Sequence, residues 1–181
     1  MPKPSDVVEL LDKNYDETHG VVNVRRVVDH LLSSSKDAFG DISESFYKVD
    51  SRWHLPILEA MRVLAATGKY TEQRTDQVTD QLFKATATVA TESGMDDEYF
   101  KSVNAVIVSP RIAPALGRYI EDWLNRDGSF FRELAFYTSG MLLDRNMNEP
   151  LKRLRSNLQS AAQAENSPQL KSQFDELLKQ V

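Results

Sequence analysis

The sequence predicts an all-α fold, a single compact multi-helix bundle of about eight to ten helices over residues 1–181. Three observations predict it. Apolar residues recur at the i, i+3, i+4, i+7 spacing of one helix face from end to end of the chain. Helix starts and stops are punctuated by Asn, Ser, Pro and Gly at the right offsets. No pair of segments alternates at the period of two that a half-buried sheet needs.

The elements follow in order. Met1-Pro2-Lys3-Pro4 leads into an acidic helix. Val24, Val27, Val28, Leu31 and Leu32 then mark a helix, with Asn23 as the N-cap whose side-chain oxygen takes an orphan backbone N–H. After Ser33-Ser34-Ser35 the period resumes at Phe39, Ile42, Phe46 and Val49. Pro56 is read as opening a third helix with Leu58, Met61, Leu64 and Ala65 inside, and Gly68 as the residue just past its end. Thr75 to Glu92 carries Val78, Leu82, Ala85, Thr86 and Val89, and Gly94 ends it.

The second half repeats this grammar. Asp96-Asp97-Glu98 places three acids in a first turn, where they oppose the positive end of the helix dipole. That helix should stop by Pro110. The β-branched run Val103 to Val108 is the one strand candidate, but Tyr99, Phe100, Val103, Val106 and Ile107 keep the helical period, and a lone strand has no partner. Pro114 starts a helix with Leu116, Ile120, Trp123 and Leu124, closed by Gly128. Ser129 caps the next, through Phe131, Leu134, Ala135, Thr138, Met141 and Leu142. Pro150 opens one with Leu151, Leu154, Leu158 and Ala161. Ser167-Pro168 is an N-cap pair before Leu170, Phe174, Leu177, Leu178 and Val181.

Composition narrows function mainly by exclusion. The chain holds 22 basic and 27 acidic residues, a formal charge of −5, and no cysteine. Disulfides, thiolate zinc sites and cysteine nucleophiles are therefore out. The longest charge-free run, Leu134 to Leu143, is ten residues, against the roughly 20 a membrane span needs. With no apolar signal core behind Met1, a cytoplasmic location is expected.

Catalytic motifs are sparse. His19, His30 and His54 form no Glu-x-x-His or His-x-x-x-His pair, so neither a di-iron bundle nor a zinc-protease helix is expected. Asp29 and His30 are adjacent helix positions and point apart. Asp96, Asp97 and Glu98 lack the alternating spacing of a calcium loop. Gly68-Lys69 is followed by Tyr70 rather than the Ser or Thr of a phosphate loop. A non-enzymatic protein with no metal and no cofactor is the expectation.

Charge placement points to binding. Tyr99 to Ile120 contains no acid across 22 residues while holding Lys101, Arg111 and Arg118. Pro150 to Ala164 is also acid-free and holds Lys152, Arg153 and Arg155. Arg25-Arg26 add a third basic pair. Such windows suit contacts to phosphate oxygens through counterion release, without reading bases. The same residues equally suit a solvated face, or local partners for Glu121, Asp122 and Glu149. Tyr99, Phe100, Tyr119 and Trp123 stand at spacings that serve either base stacking or a core.

The order of elements resembles the helical small subunits of CRISPR effector complexes, and the related C-terminal helical region of the type I large subunit. The resemblance is one of layout over about residues 52 to 165. It is carried by the Leu55-Pro56-Ile57 start into Leu58–Ala65, the Val78–Val89 helix, Leu116-Gly117-Arg118-Tyr119-Ile120, and Leu151-Lys152-Arg153-Leu154-Arg155-Ser156-Asn157-Leu158. It implies a non-catalytic role in which copies line an RNA-guided antiviral complex. They would steady the displaced DNA strand or guide duplex through Arg111, Arg118, Lys152, Arg153 and Arg155. Net acidity departs from that family, whose members tend to be more basic.

The expected function is thus a subunit of a nucleoprotein assembly, with other protein subunits and RNA or single-stranded DNA as partners. The competing expectation is an acidic helical adaptor or regulator that forms homo-oligomers through the apolar side of Leu170, Phe174, Leu177, Leu178 and Val181.

Overall fold

Eleven α-helices occupy the described residues of the computed structural model, which are 4–71, 74–107 and 112–181. The fold is all-α, 76% helical, with one two-stranded ladder among the described residues. The chain, expected to form one domain, groups into two compact units, Met1–Val106 and Ile107–Val181.

The first unit contains α1 (Pro4–Lys13), a short hairpin of β1 (Tyr15–Asp16) and β2 (Val21–Val22), α2 (Val24–Ser34), α3 (Ala38–Phe46), α4 (His54–Ala66), α5 (Thr75–Ser93) and α6 (Glu98–Val106). Helix α4 is its centre, packing on α2, α3, α5 and α6. Ile57, Leu58, Met61 and Leu64 from α4 are buried with Ile42, Phe46, Val78, Leu82 and Val103. Asn23 caps α2 as expected, accepting from the Arg26 amide at 3.2 Å. Gly68 and Gly94 close α4 and α5 at φ of 62° and 63°, where a Cβ would be strained. Helix α4 starts two residues earlier than expected, at His54. Pro56 is tolerated there because first-turn amides have no intrahelical acceptor to lose.

The hairpin escaped the sequence reading because two residues per strand show no period. Its turn is held by Asp16, whose carboxylate accepts from the amides of Thr18 and His19 at 2.9 and 3.3 Å and from the His19 ring at 2.7 Å. Val103 and Val106 lie in α6, as the helical reading expects; Val108 and Pro110 lie outside the described residues.

The second unit contains α7 (Ala113–Leu124), α8 (Ser129–Asp144), α9 (Glu149–Arg153), α10 (Arg155–Ala164) and α11 (Pro168–Gln180). Helix α7 packs on α8, α9 and α10, and α11 closes over α8 and α10. Leu116, Ile120, Trp123, Leu134, Leu142, Leu151, Leu158 and Phe174 form its interior. Ser167 caps α11 as expected.

Three local expectations are corrected here. Gly128 does not close α7, which ends at Leu124; it is the N-cap residue of α8, at φ 104°, and Ser129 is the first residue of that helix. Helix α8 ends without a glycine. Asn146 takes the left-handed conformation (φ 56°), its amide bonds the Leu143 carbonyl, and the Met147 amide reaches back to Leu142. Finally, the helix expected from Pro150 is two helices, broken at Leu154 (φ −95°, ψ 7°).

Candidate nucleic-acid interface

The break at Leu154 does not turn the apolar side away from the core: Leu151, Leu154 and Leu158 are all buried. The opposite side is therefore presented to solvent along both short helices. From 150 to 164 the exposed residues are Lys152, Arg153, Arg155, Ser156, Gln159, Ser160, Gln163 and Ala164. Three cations, two hydroxyls and two amides share that face, and no carboxylate interrupts it.

The nearest acid is at its entrance. Glu149 accepts from the Lys152 ammonium at 2.5 Å. That hydrogen bond and the Lys152 charge hold the Glu149 carboxyl below its ordinary range, with the Arg153 charge adding to them. Lys152 is thus engaged locally, one of the pairings the sequence left open. Asp122 is likewise taken, by Arg126 at 2.7 Å. Arg155 makes no ion pair among the described residues.

Of the remaining expected contacts, Arg118 is exposed on α7 and Arg111 lies outside the described residues. The expected pairing of Arg111 with Arg118 on one helical side therefore lies outside the described residues. The structure brings Arg118 and Arg153 together. Both line a cleft of about 490 Å³ between α7 and α9, rimmed also by Glu121 and Glu149. The approach of the two helices depends on Gly117, where an added Cβ would stand 2.8 Å from Cβ of Pro150. Lys152 and Arg155 are not among the residues lining this cleft.

Among the aromatic residues near these windows Trp123 is buried, with half-buried Tyr119 at a centroid distance of 5.9 Å, and half-buried Tyr99 stacks with Phe83 at 6.4 Å.

Charge is unevenly divided between the units. Residues 1–106 hold 12 basic against 18 acidic side chains, and residues 107–181 hold 10 against 9. The net acidity of the chain therefore belongs to the first unit, and the second is close to neutral.

The strongest electrostatic features were not visible in the sequence. Of the three acids expected in a first turn only Glu98 lies in α6, which it begins, while Asp96 and Asp97 lie in the turn before it; Glu98 is buried. Its carboxylate takes the Arg62 guanidinium and, at 2.6 Å, the Lys101 ammonium. Arg62 also donates to the Glu98 carbonyl and to Ser102 Oγ, both at 3.0 Å, and Ser102 meets the Thr86 hydroxyl at 2.7 Å. Burial pushes the Glu98 carboxyl up, yet the Lys101 and Arg62 hydrogen bonds and charges more than offset it and hold it below the ordinary carboxylate range. In the second unit Glu165 is the counterpart. Burial raises its carboxyl, while Arg132 at 2.6 Å, the Ser167 amide and the Ser129 hydroxyl bring it below its ordinary value. Both pairs join residues more than 30 positions apart in sequence, so no local spacing marks them.

His54, which has no partner at motif spacing, meets Glu92 at 2.9 Å and stacks on Phe46 with centroids 4.4 Å apart. His30 and Asp29 are exposed. Among the described residues there is no cluster of three or more His, Asp or Glu able to hold a metal ion, and no helix is long and apolar enough to cross a membrane. No protein-family model, no curated protein and no solved structure matches this chain.

Proposed function

We propose that this protein is a non-enzymatic, all-α subunit of a larger nucleoprotein assembly, and that it contacts a nucleic-acid backbone through the exposed side of α9 and α10. One observation carries the reading: from 150 to 164 that side presents Lys152, Arg153 and Arg155 among hydroxyls and amides, with Glu149, paired to Lys152, as the one carboxylate at its start, on a near-neutral unit of an acidic chain. Phosphate oxygens accept from all of these groups, and each neutralised phosphate releases counterions. Arg118 extends the positive surface on α7. On this reading the partners are other protein subunits and RNA or single-stranded DNA, in an RNA-guided defence complex of the kind the layout resembles, and the setting is cytoplasmic.

The test is fluorescence anisotropy with a labelled oligonucleotide, titrated at several salt concentrations. Arg153→Glu with Arg155→Glu should weaken association and flatten the salt dependence by about 0.7–0.9 log units per lost phosphate contact. Far-UV circular dichroism should be unchanged. Equal binding by the variant and the parent rejects the proposal, as does a parent that binds no oligonucleotide.

The adaptor reading keeps one supporting observation. Val63 is 43% exposed in a groove of about 550 Å³ walled by α2 and α4 in the acidic unit. Of the terminal residues expected to drive self-association, Leu170, Phe174 and Leu177 are buried as α11 packs on α8 and α10 of its own unit, and Leu178 and Val181 are half-buried.

A further inference from the structure

The cleft between α7 and α9 adjoins the basic face but is chemically unlike it. Its lining is largely apolar, with Ala113, Pro114, Met147, Pro150 and Leu154, and its volume of about 490 Å³ lies in the range of pockets that hold small organic groups. Two guanidinium groups, Arg118 and Arg153, line it together with the carboxylates of Glu121 and Glu149 and the amide of Asn146. A phosphate gains nothing from apolar lining and is repelled by Glu121 and Glu149. A flat heterocycle gains from the apolar side chains, the guanidinium planes and the hydrogen-bonding groups alike. Guanidinium planes stack on bases whether or not their N–H edges are engaged, and carboxylate and amide groups hydrogen-bond exocyclic amines and ring nitrogens.

We infer that this cleft binds one unstacked nucleobase of a strand whose backbone lies on the α9–α10 face. The inference rests on the backbone-binding reading above and makes it specific. A duplex keeps its bases paired inside the helix, so the partner is single-stranded nucleic acid, engaged at its backbone by Arg155 and at one base by the cleft. Arg153 belongs to both surfaces, being exposed on α9 and lining the cleft. Its position ties the register of the base to that of the backbone. Sequence preference should be weak, because stacking accepts every base.

The experiment compares three labelled probes on the full chain: a mixed-sequence single-stranded DNA, the same DNA as a duplex, and a strand of equal length made of abasic sites. The parent should bind the normal strand roughly tenfold more tightly than the abasic strand, the increment of one base stacked in a protein site. Pro114→Trp, at an exposed lining position, fills the mouth of the cleft. It should abolish that difference while leaving abasic-strand binding intact. Met147→Trp fills it from the other side and serves if the first variant loses helicity. Equal binding of normal and abasic strands by the parent overturns the inference and leaves the backbone reading standing. Failure of the parent to bind any of the three probes overturns both. Retention of the tenfold preference in a folded, cleft-filled variant places the base elsewhere and also overturns it.

Discussion

Arg62 and Glu98 are 7% and 1% exposed and bridge α4 to α6 in the first unit, which makes their removal a calculable perturbation. Arg62→Met replaces the aliphatic stem with an apolar chain but deletes three hydrogen bonds, to the Glu98 carboxylate, the Glu98 carbonyl and Ser102 Oγ. Breaking a buried pair by removing one partner costs about 3–5 kcal/mol. The Lys101 ammonium remains on Glu98, so the carboxylate is not abandoned and the expected cost is about 3 kcal/mol. Glu98→Gln leaves the guanidinium without its counter-charge and should cost about 2–3 kcal/mol. The double variant leaves neither charge unpaired and should cost about 3 kcal/mol in total, a coupling of about 2–3 kcal/mol between the two sites. Because the chain forms two compact units, unfolding should be followed by a probe confined to the first. Trp53 lies there and Trp123 in the second unit, so urea titrations monitored by tryptophan fluorescence in a Trp123→Phe background report the right one. A cost below about 1 kcal/mol for Arg62→Met, or strictly additive effects, would refute the reasoning that a desolvated pair holds α6 on α4.

The same geometry sets acid sensitivity. Glu98 and Glu165 titrate below their ordinary value of 4.5, so each contributes stability that is complete above that value and is lost as pH falls through its lower folded value. Thermal unfolding temperatures measured from pH 7 downward should therefore hold to about pH 5 and then fall, and Arg62→Met should shrink the fall that reports on the first unit. Gly117→Ala sets an overpacking cost of about 1–3 kcal/mol against Pro150 against about 1 kcal/mol of helix propensity gained. A net loss of up to about 2 kcal/mol in urea unfolding is expected, and a stabilised variant would mean that α7 and α9 do not approach closely at this point.

What the amino-acid order determined by itself is what short-range physics controls. Asn23, Gly68, Gly94 and Ser167 end or begin helices because capping depends on residues three or four positions away. Val27, Val28 and Leu31, or Leu151, Leu154 and Leu158, face inward because a 3.6-residue period places them on one side. The acid-free run behind the α9–α10 face is legible for the same reason, since exposure follows from the stripe opposite.

Tertiary packing decided the rest. Whether Glu98 answered a helix dipole or a buried guanidinium depended on α6 lying against α4, which brought in a partner 36 positions away. That Arg118 lines one cleft with Arg153 depended on how closely Gly117 let α9 approach α7. Whether the apolar stripe of α11 was an interface or an interior depended on α8 and α10 being there to cover it. A periodic stripe says that a face seeks apolar company, but it carries no information about which distant helix supplies it.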